Sequence, residues 1–284
     1  MVASGPYGND RCTEGQRDSS RFPRGITGRP AVKPKKIAEQ ARGDVAAGAR
    51  ELLAHRYHIA VILMAITFGT LALLARTASF FSIDLELTRA IQGASPPWLR
   101  GLFESVTWIG FPPQSNVVFG AIVLGFVVIG YHLEAQMTAV AAIGSAGLWY
   151  LIAPLVDRLR PSPELVDVAM QLPTASFLSG HVVNLTAIFG FLIYLALLLV
   201  PSAWIRRTLA VIALLPLMVI GLARIEDGAH WPSDVLGGYM LGCVWLALTI
   251  HLYRWARRRH RKRSGAFAQA RTVLLSYVCP HSTR

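Results

Sequence analysis

Six apolar runs, broken by short polar segments, limit what this chain can fold into. They extend approximately from Tyr57 to Leu74, Asn116 to Tyr131, Gln136 to Val156, Val182 to Val200, Leu209 to Leu222 and Val235 to Trp255. Each approaches the roughly 20 residues that cross a bilayer core, although some are short. Helix is the conformation expected for them, because an open sheet leaves backbone polar groups unsatisfied in lipid. With 53% apolar residues, 15% charged residues and a mean hydropathy of +0.44, the composition excludes an ordinary water-soluble domain. The expectation is an all-α, polytopic membrane helix bundle of six transmembrane helices.

The runs divide the chain into a basic tail over residues 1–56, a six-span domain over 57–255 and a second basic tail over 256–284. From Met1 to about Arg50 the sequence is rich in Gly, Pro, Ser and Arg and has no apolar period, which predicts a disordered segment. No apolar stretch before Arg56 resembles the core of a cleaved signal peptide, and an Arg-rich organellar presequence is the alternative. The net charge of +12 is concentrated in the two tails, which fits contact with the membrane surface and control of topology rather than binding to nucleic acid. Cys12, Cys243 and Cys279 lie too far apart to form a metal site or a disulfide framework. Between the first two spans, Asp84 to Gly110 carries periodic apolar residues interrupted by Pro96-Pro97, which predicts short interfacial or re-entrant helices.

The region up to Arg56 holds eleven Lys and Arg residues, the region from Arg254 holds nine, and Arg206 and Arg207 lie between the fourth and fifth spans. An even number of spans with both basic ends inside makes the termini cytoplasmic, as in a protein of the cell inner membrane. The same topology puts three other segments together on the extracytoplasmic face. These are Arg158-Leu159-Arg160-Pro161, Ser179-Gly180-His181, and Arg224 with His230 and Asp234.

These segments hold the groups that phosphoryl transfer uses. Arginine forks bind non-bridging oxygens and keep their charge, which makes Arg158, Arg160 and Arg224 candidates for holding a phosphate. Taken singly, each also reads as a juxtamembrane anchor. Ser179 and Gly180 precede the fourth run, where a helix N-terminus can face an anion, and His181 can protonate a leaving oxygen. A simple helix cap is the other reading of Ser-Gly-His. Asp234 follows His230 by four residues, with Pro232 placed to start a helix, so the carboxylate is expected to bond one ring nitrogen and leave the other as a nucleophile. A structural His–Asp pair capping the last span is the alternative. No acidic cluster or Gly-rich Lys-Ser/Thr loop suggests a metal or nucleotide, so the expected chemistry needs no metal and no cofactor. Glu226 and Asp227 read as solvated loop acids. Gly238 and Gly242 read as a close helix contact, or less simply as a dimerisation face.

The three segments resemble the signatures K-x6-R-P, P-S-G-H and S-R-x5-H-x3-D of the type 2 phosphatidic acid phosphatase (PAP2) family, the membrane branch of a superfamily that includes vanadium haloperoxidases. The resemblance covers about Tyr57 to Trp255. It implies His230 as nucleophile, Asp234 as its orienting partner, His181 as acid, and Arg160, Arg224, Ser179 and Gly180 as phosphate ligands. Ala153, Leu178 and Ala223 stand where the signatures have Lys, Pro and Ser. The lost lysine removes a cation, for which Arg158 is the expected substitute. The resulting expectation is a lipid phosphate phosphatase acting through a phosphohistidine on a phosphomonoester or pyrophosphate in the bilayer, such as phosphatidic acid or a polyprenyl pyrophosphate. A phosphotransferase with the same intermediate and a silent lipid-phosphate binding or transport protein are the alternatives. Nothing in the sequence defines an oligomeric state.

Overall fold

The computed structural model describes the backbone of residues 34–278, and the side chains of residues 51–262 other than Ala54 and Pro97. Eight helices account for most of it. They are α1 (Pro34–Thr77), α2 (Ser82–Ala94), α3 (Pro97–Gly110), α4 (Gln114–Val128), α5 (His132–Val156), α6 (Gly180–Leu199), α7 (Ala203–Glu226) and α8 (Pro232–Val278). The chain divides into two compact units at Ala54/His55. Among the described residues, the first unit holds only the start of α1, and the second holds the remainder of α1 and helices α2 to α8.

Among the described residues, five helices are long and apolar enough to cross a membrane. A sixth crossing requires the pair α3–α4, bent by 67° at its break. At 15 residues, α4 is only ~22 Å long, short of a ~30 Å hydrocarbon core on its own. The second expected span is therefore either broken at this bend or re-entrant. The two short helices expected between Asp84 and Gly110 are present as α2 and α3, with α3 opening at Pro97.

Helix begins at Pro34, so residues 34–50 are helical where the sequence reading placed disorder. Strong helix formers dominate that stretch, including Lys35, Lys36, Glu39, Gln40, Ala46, Ala47 and Ala49, and propensity summed over them outweighs the missing apolar period. The expected disorder of residues 1–33 lies outside the described residues. At the other end, α8 continues past Trp255 to Val278.

The innermost helix is α6, which buries Val182, Val183, Leu185, Ile188 and Phe191 against α5, α7 and α8. Small residues on α8 allow this approach. A Cβ on Gly242 would lie 2.6 Å from Thr186 Cβ, and one on Gly238 would lie 3.0 Å from the Ser179 carbonyl. Close helix packing is thus the role of this glycine pair. Leu73, Val117, Ile143 and Leu215 point outward, as lipid-facing positions require.

Candidate active site

The C-termini of α5 and α7 meet the N-termini of α6 and α8 at one end of the bundle, and the three motif segments converge there. α2 ties the long 157–179 connection down. Arg89 Nε donates to the Leu165 carbonyl at 3.0 Å, and Gln92 Nε2 donates to the Asp167 carbonyl at 2.7 Å. The tight turn after α7 needs Gly228, whose φ of +63° is left-handed and where a Cβ would lie 2.0 Å from the Asp167 carbonyl oxygen.

His230 follows this turn and is 3% exposed. Its Nδ1 lies 2.7 Å from the Ser176 carbonyl oxygen. A carbonyl only accepts, so Nδ1 carries the proton and Nε2 keeps its lone pair. Arg160 Nη1 lies 3.3 Å from that Nε2. Burial first, then the charges of Arg160 and Arg224, push the His230 pKa well below the ordinary imidazole value, with His181 adding to the effect. The ring is therefore held neutral, and the two histidines share one electrostatic environment.

Asp234 reaches this ring indirectly. Its carboxylate accepts from Ser176 Oγ at 2.5 Å, from the Trp231 amide at 3.0 Å and from Arg158 Nη1 at 2.5 Å, and no bond to the His230 ring is present. The expected direct His230–Asp234 pair is replaced by a relay in which Asp234 fixes Ser176 and the Ser176 carbonyl fixes the imidazole. A turn of helix separates the two residues, and the carboxylate turns toward the N-terminal amides of its own helix and the Ser176 hydroxyl.

Arg158 departs further from expectation. Its guanidinium bonds Asp84 at 2.9 Å, Asp234 at 2.5 Å, Ser233 Oγ at 2.7 Å and the Ala78 carbonyl at 3.2 Å, and it stacks over the Phe81 ring. A fork spent on two buried carboxylates is not a phosphate ligand. Arg158 is a structural cation, and it does not replace the lysine missing at Ala153, a position that is itself buried.

Arg160 is held by the Thr174 carbonyl at 2.7 Å, the Ala229 carbonyl at 2.5 Å and Thr174 Oγ1 at 2.9 Å, which aims it at His230. Burial first, and then the like charge of Arg224, lower its pKa to about 10. Arg224 donates to Asp227 at 2.9 Å and lies over the Phe111 ring. Glu226 accepts from Arg100 at 3.1 Å, so the two acids are ion-paired rather than simply solvated. Burial raises the Asp227 pKa, opposed by Arg224.

Five buried side-chain atoms among the described residues have no hydrogen-bond partner, and three of them are Ser179 Oγ, His181 Nε2 and Arg224 Nε. Unpaired buried polar atoms are costly, and their concentration on motif residues marks a place built for a polar ligand. Gly180 opens α6, so its amide is one of that helix's free N-terminal donors. A cavity of about 280 Å³ opens here, lined by Thr107, Trp108, Phe111, Arg224, Asp227 and Ala229 among others. A larger apolar cavity of about 530 Å³, near the far ends of α4 and α6, contains none of this chemistry.

Sequence reasoning missed Asp84, Ser176, Ser233 and Gly110. The Cδ2 of His181 would lie 2.0 Å from a Cβ on Gly110, and the Phe111 ring meets the imidazole edge-on at 4.5 Å. The end of α3 therefore fits over His181 only without a side chain. Gly110→Ala should displace His181 and lower any turnover that depends on it by roughly 10- to 100-fold, because a shift of about 1 Å is enough for that. Assay of the folded variant, checked by gel filtration, tests this, and unchanged turnover would show that His181 needs no such cover.

Among the described residues, no group of three or more His, Cys, Asp or Glu is placed to hold a metal ion. The PAP2 superfamily model matches residues 135–258, which contain all three motif segments. The chain is 23% identical over 182 residues to phosphatidylglycerophosphatase B of Bacillus subtilis (strain 168), covering 62% of this chain and 86% of that relative. A crystal structure of a transmembrane PAP2 type phosphatidylglycerolphosphate phosphatase from Bacillus subtilis superimposes with a TM-score of 0.60 at 21% identity, covering 68% of this chain and 94% of that one. That likeness is one of fold. The PAP2 superfamily model thus matches the stretch that holds the three convergent motifs, and the helical architecture is that of a polytopic membrane protein similar to that superfamily.

Proposed function

We propose that the protein hydrolyses a phosphate ester of a membrane lipid, with His230 Nε2 attacking phosphorus. The observation that carries this reading is the Ser176 carbonyl on His230 Nδ1, which leaves a neutral nitrogen beside Arg160. Attack forms an N–P bond and breaks the bond to the leaving oxygen, to which His181, protonated once the bound phosphate offsets the arginine charges, gives its proton. Water then attacks the phosphohistidine with His181 as base, releasing inorganic phosphate and restoring His230. Arg160, Arg224, Ser179 Oγ and the Gly180 amide hold the equatorial oxygens, where charge accumulates. Phosphatase function is supported by the superfamily match and by the names of the relatives. The basic ends support an extracytoplasmic site, where a head group stays tethered by its acyl or prenyl chain.

Phosphate release from a panel of lipid phosphates in detergent, with EDTA present, tests the reaction. Activity is expected to survive EDTA and to fall with vanadate, and strict dependence on added magnesium would contradict the mechanism.

The pH profile follows from the lowered His230 pKa. An ordinary imidazole gains its proton, and loses its nucleophilic lone pair, as pH falls through about 6.5. His230 resists that proton, so its acid limb is displaced to well below that value. Because kcat/KM reports the free enzyme, it should not decline between about pH 7 and pH 5.5. A descending limb centred near 6.5 would show that the nucleophile titrates normally.

A further inference from the structure

The charges around the phosphate site select among lipid phosphates, an inference that rests on the phosphatase reading above. Two guanidiniums, Arg160 and Arg224, flank His230, and Arg224 is already paired with Asp227 at 2.9 Å. No lysine stands at Ala153, and Arg158 is spent on Asp84 and Asp234. Glu104 lines the same cavity as Arg224 and Asp227, close enough for its charge to act on the Asp227 carboxyl, and it forms no ion pair among the described residues.

The other side of Arg160 adds no cation. Beyond Met170, a smaller cleft of about 170 Å³ is lined by Pro161, Pro163, Gln171 and Leu172, with Arg160 as its sole charged residue. Arg100 is occupied by Glu226, and Arg89 is bonded to the Leu165 carbonyl.

One phosphoryl group is well matched to this surface. Its oxygens have two guanidiniums and the buried, unpartnered Ser179 Oγ and Arg224 Nε. A second phosphate attached to the first extends either toward Glu104 and Asp227 or into a cleft with no new positive charge. Asp227 is half-buried and Glu104 exposed, so the repulsion is strongest beside Asp227 and is screened by solvent at Glu104. We propose that the substrate is a lipid phosphomonoester and that Glu104, with Asp227, discriminates against lipid pyrophosphates.

The experiment compares farnesyl phosphate with farnesyl diphosphate, which share one prenyl chain, in detergent micelles with EDTA so that no divalent cation masks the extra charge. The parent should favour the monophosphate by at least about tenfold in kcat/KM, and Glu104→Gln should narrow that ratio about fivefold. Turnover that requires His230 yet runs equally well or faster on the diphosphate overturns the selectivity alone. A Glu104→Gln variant with an unchanged ratio removes Glu104 as its cause. Hydrolysis of neither substrate, with parent and His230→Ala alike, overturns the phosphatase reading and the selectivity together.

Discussion

His230→Ala should release phosphate at least about a thousandfold more slowly than the parent while remaining folded. The substitution removes the one nitrogen that is neutral, lone-paired and adjacent to a guanidinium, and no nearby group replaces it. Substrate binding should survive, because Arg160, Arg224 and Ser179 are untouched, so the loss belongs in kcat rather than in KM. Truncating the ring also frees the Ser176 carbonyl and leaves a small cavity, for which a stability loss of about 1–3 kcal/mol is expected. Steady-state kinetics paired with thermal unfolding in detergent separates the two effects. A variant as thermolabile as expected but with substantial turnover would make His230 a structural histidine.

Arg158→Met should affect folding first. Asp84, Arg158 and Asp234 form a buried triad whose side chains are 0–1% exposed, with two carboxylates facing one guanidinium. Removing the only cation leaves two anions buried together, for which about 3–5 kcal/mol is the usual penalty, comparable to a large part of a domain's stability. Asp84 also accepts from the Ser233 amide at 2.9 Å, so the triad anchors the start of α8 to α2 and thereby fixes Trp231 and His230. Little folded protein should be recovered from Arg158→Met, whereas Arg158→Met combined with Asp84→Leu should recover part of the loss. Arg160→Ala should fold and lose activity. If Arg158→Met kept the parent's unfolding temperature and lost only phosphate affinity, Arg158 would be a phosphate ligand after all.

The outline of this site was readable because it is written in local spacing. Arg224, His230 and Asp234 fall within eleven residues, and apolar run lengths place them at the same end of the bundle as Ser179-Gly180-His181. What could not be read is carried by partners far apart in sequence or by backbone atoms. Asp84 reaches Arg158 across 74 positions, and nothing near Asp84 distinguishes it from a solvated acid. The Ser176 carbonyl that orients His230 has no side-chain signature, although Ser176 lies three residues before Ser179. Arg158 and Arg160 are equivalent in sequence, and only the positions of Asp84 and Asp234 make one structural and leave the other beside His230. The same limit applies to the second span, where the cost of α4's short length is visible only beside α3 and the 67° bend.

The attack of His230 on phosphorus is tested most directly by trapping the intermediate. Purified protein would be mixed with a lipid phosphate labelled in its phosphoryl group, quenched in denaturant within one turnover, and its peptides mapped. The label should be acid-labile and alkali-stable, lie on the peptide containing residue 230, and be absent from His230→Ala. Rapid turnover with no labelled peptide, or a label that persists in His230→Ala, would contradict covalent catalysis by this imidazole.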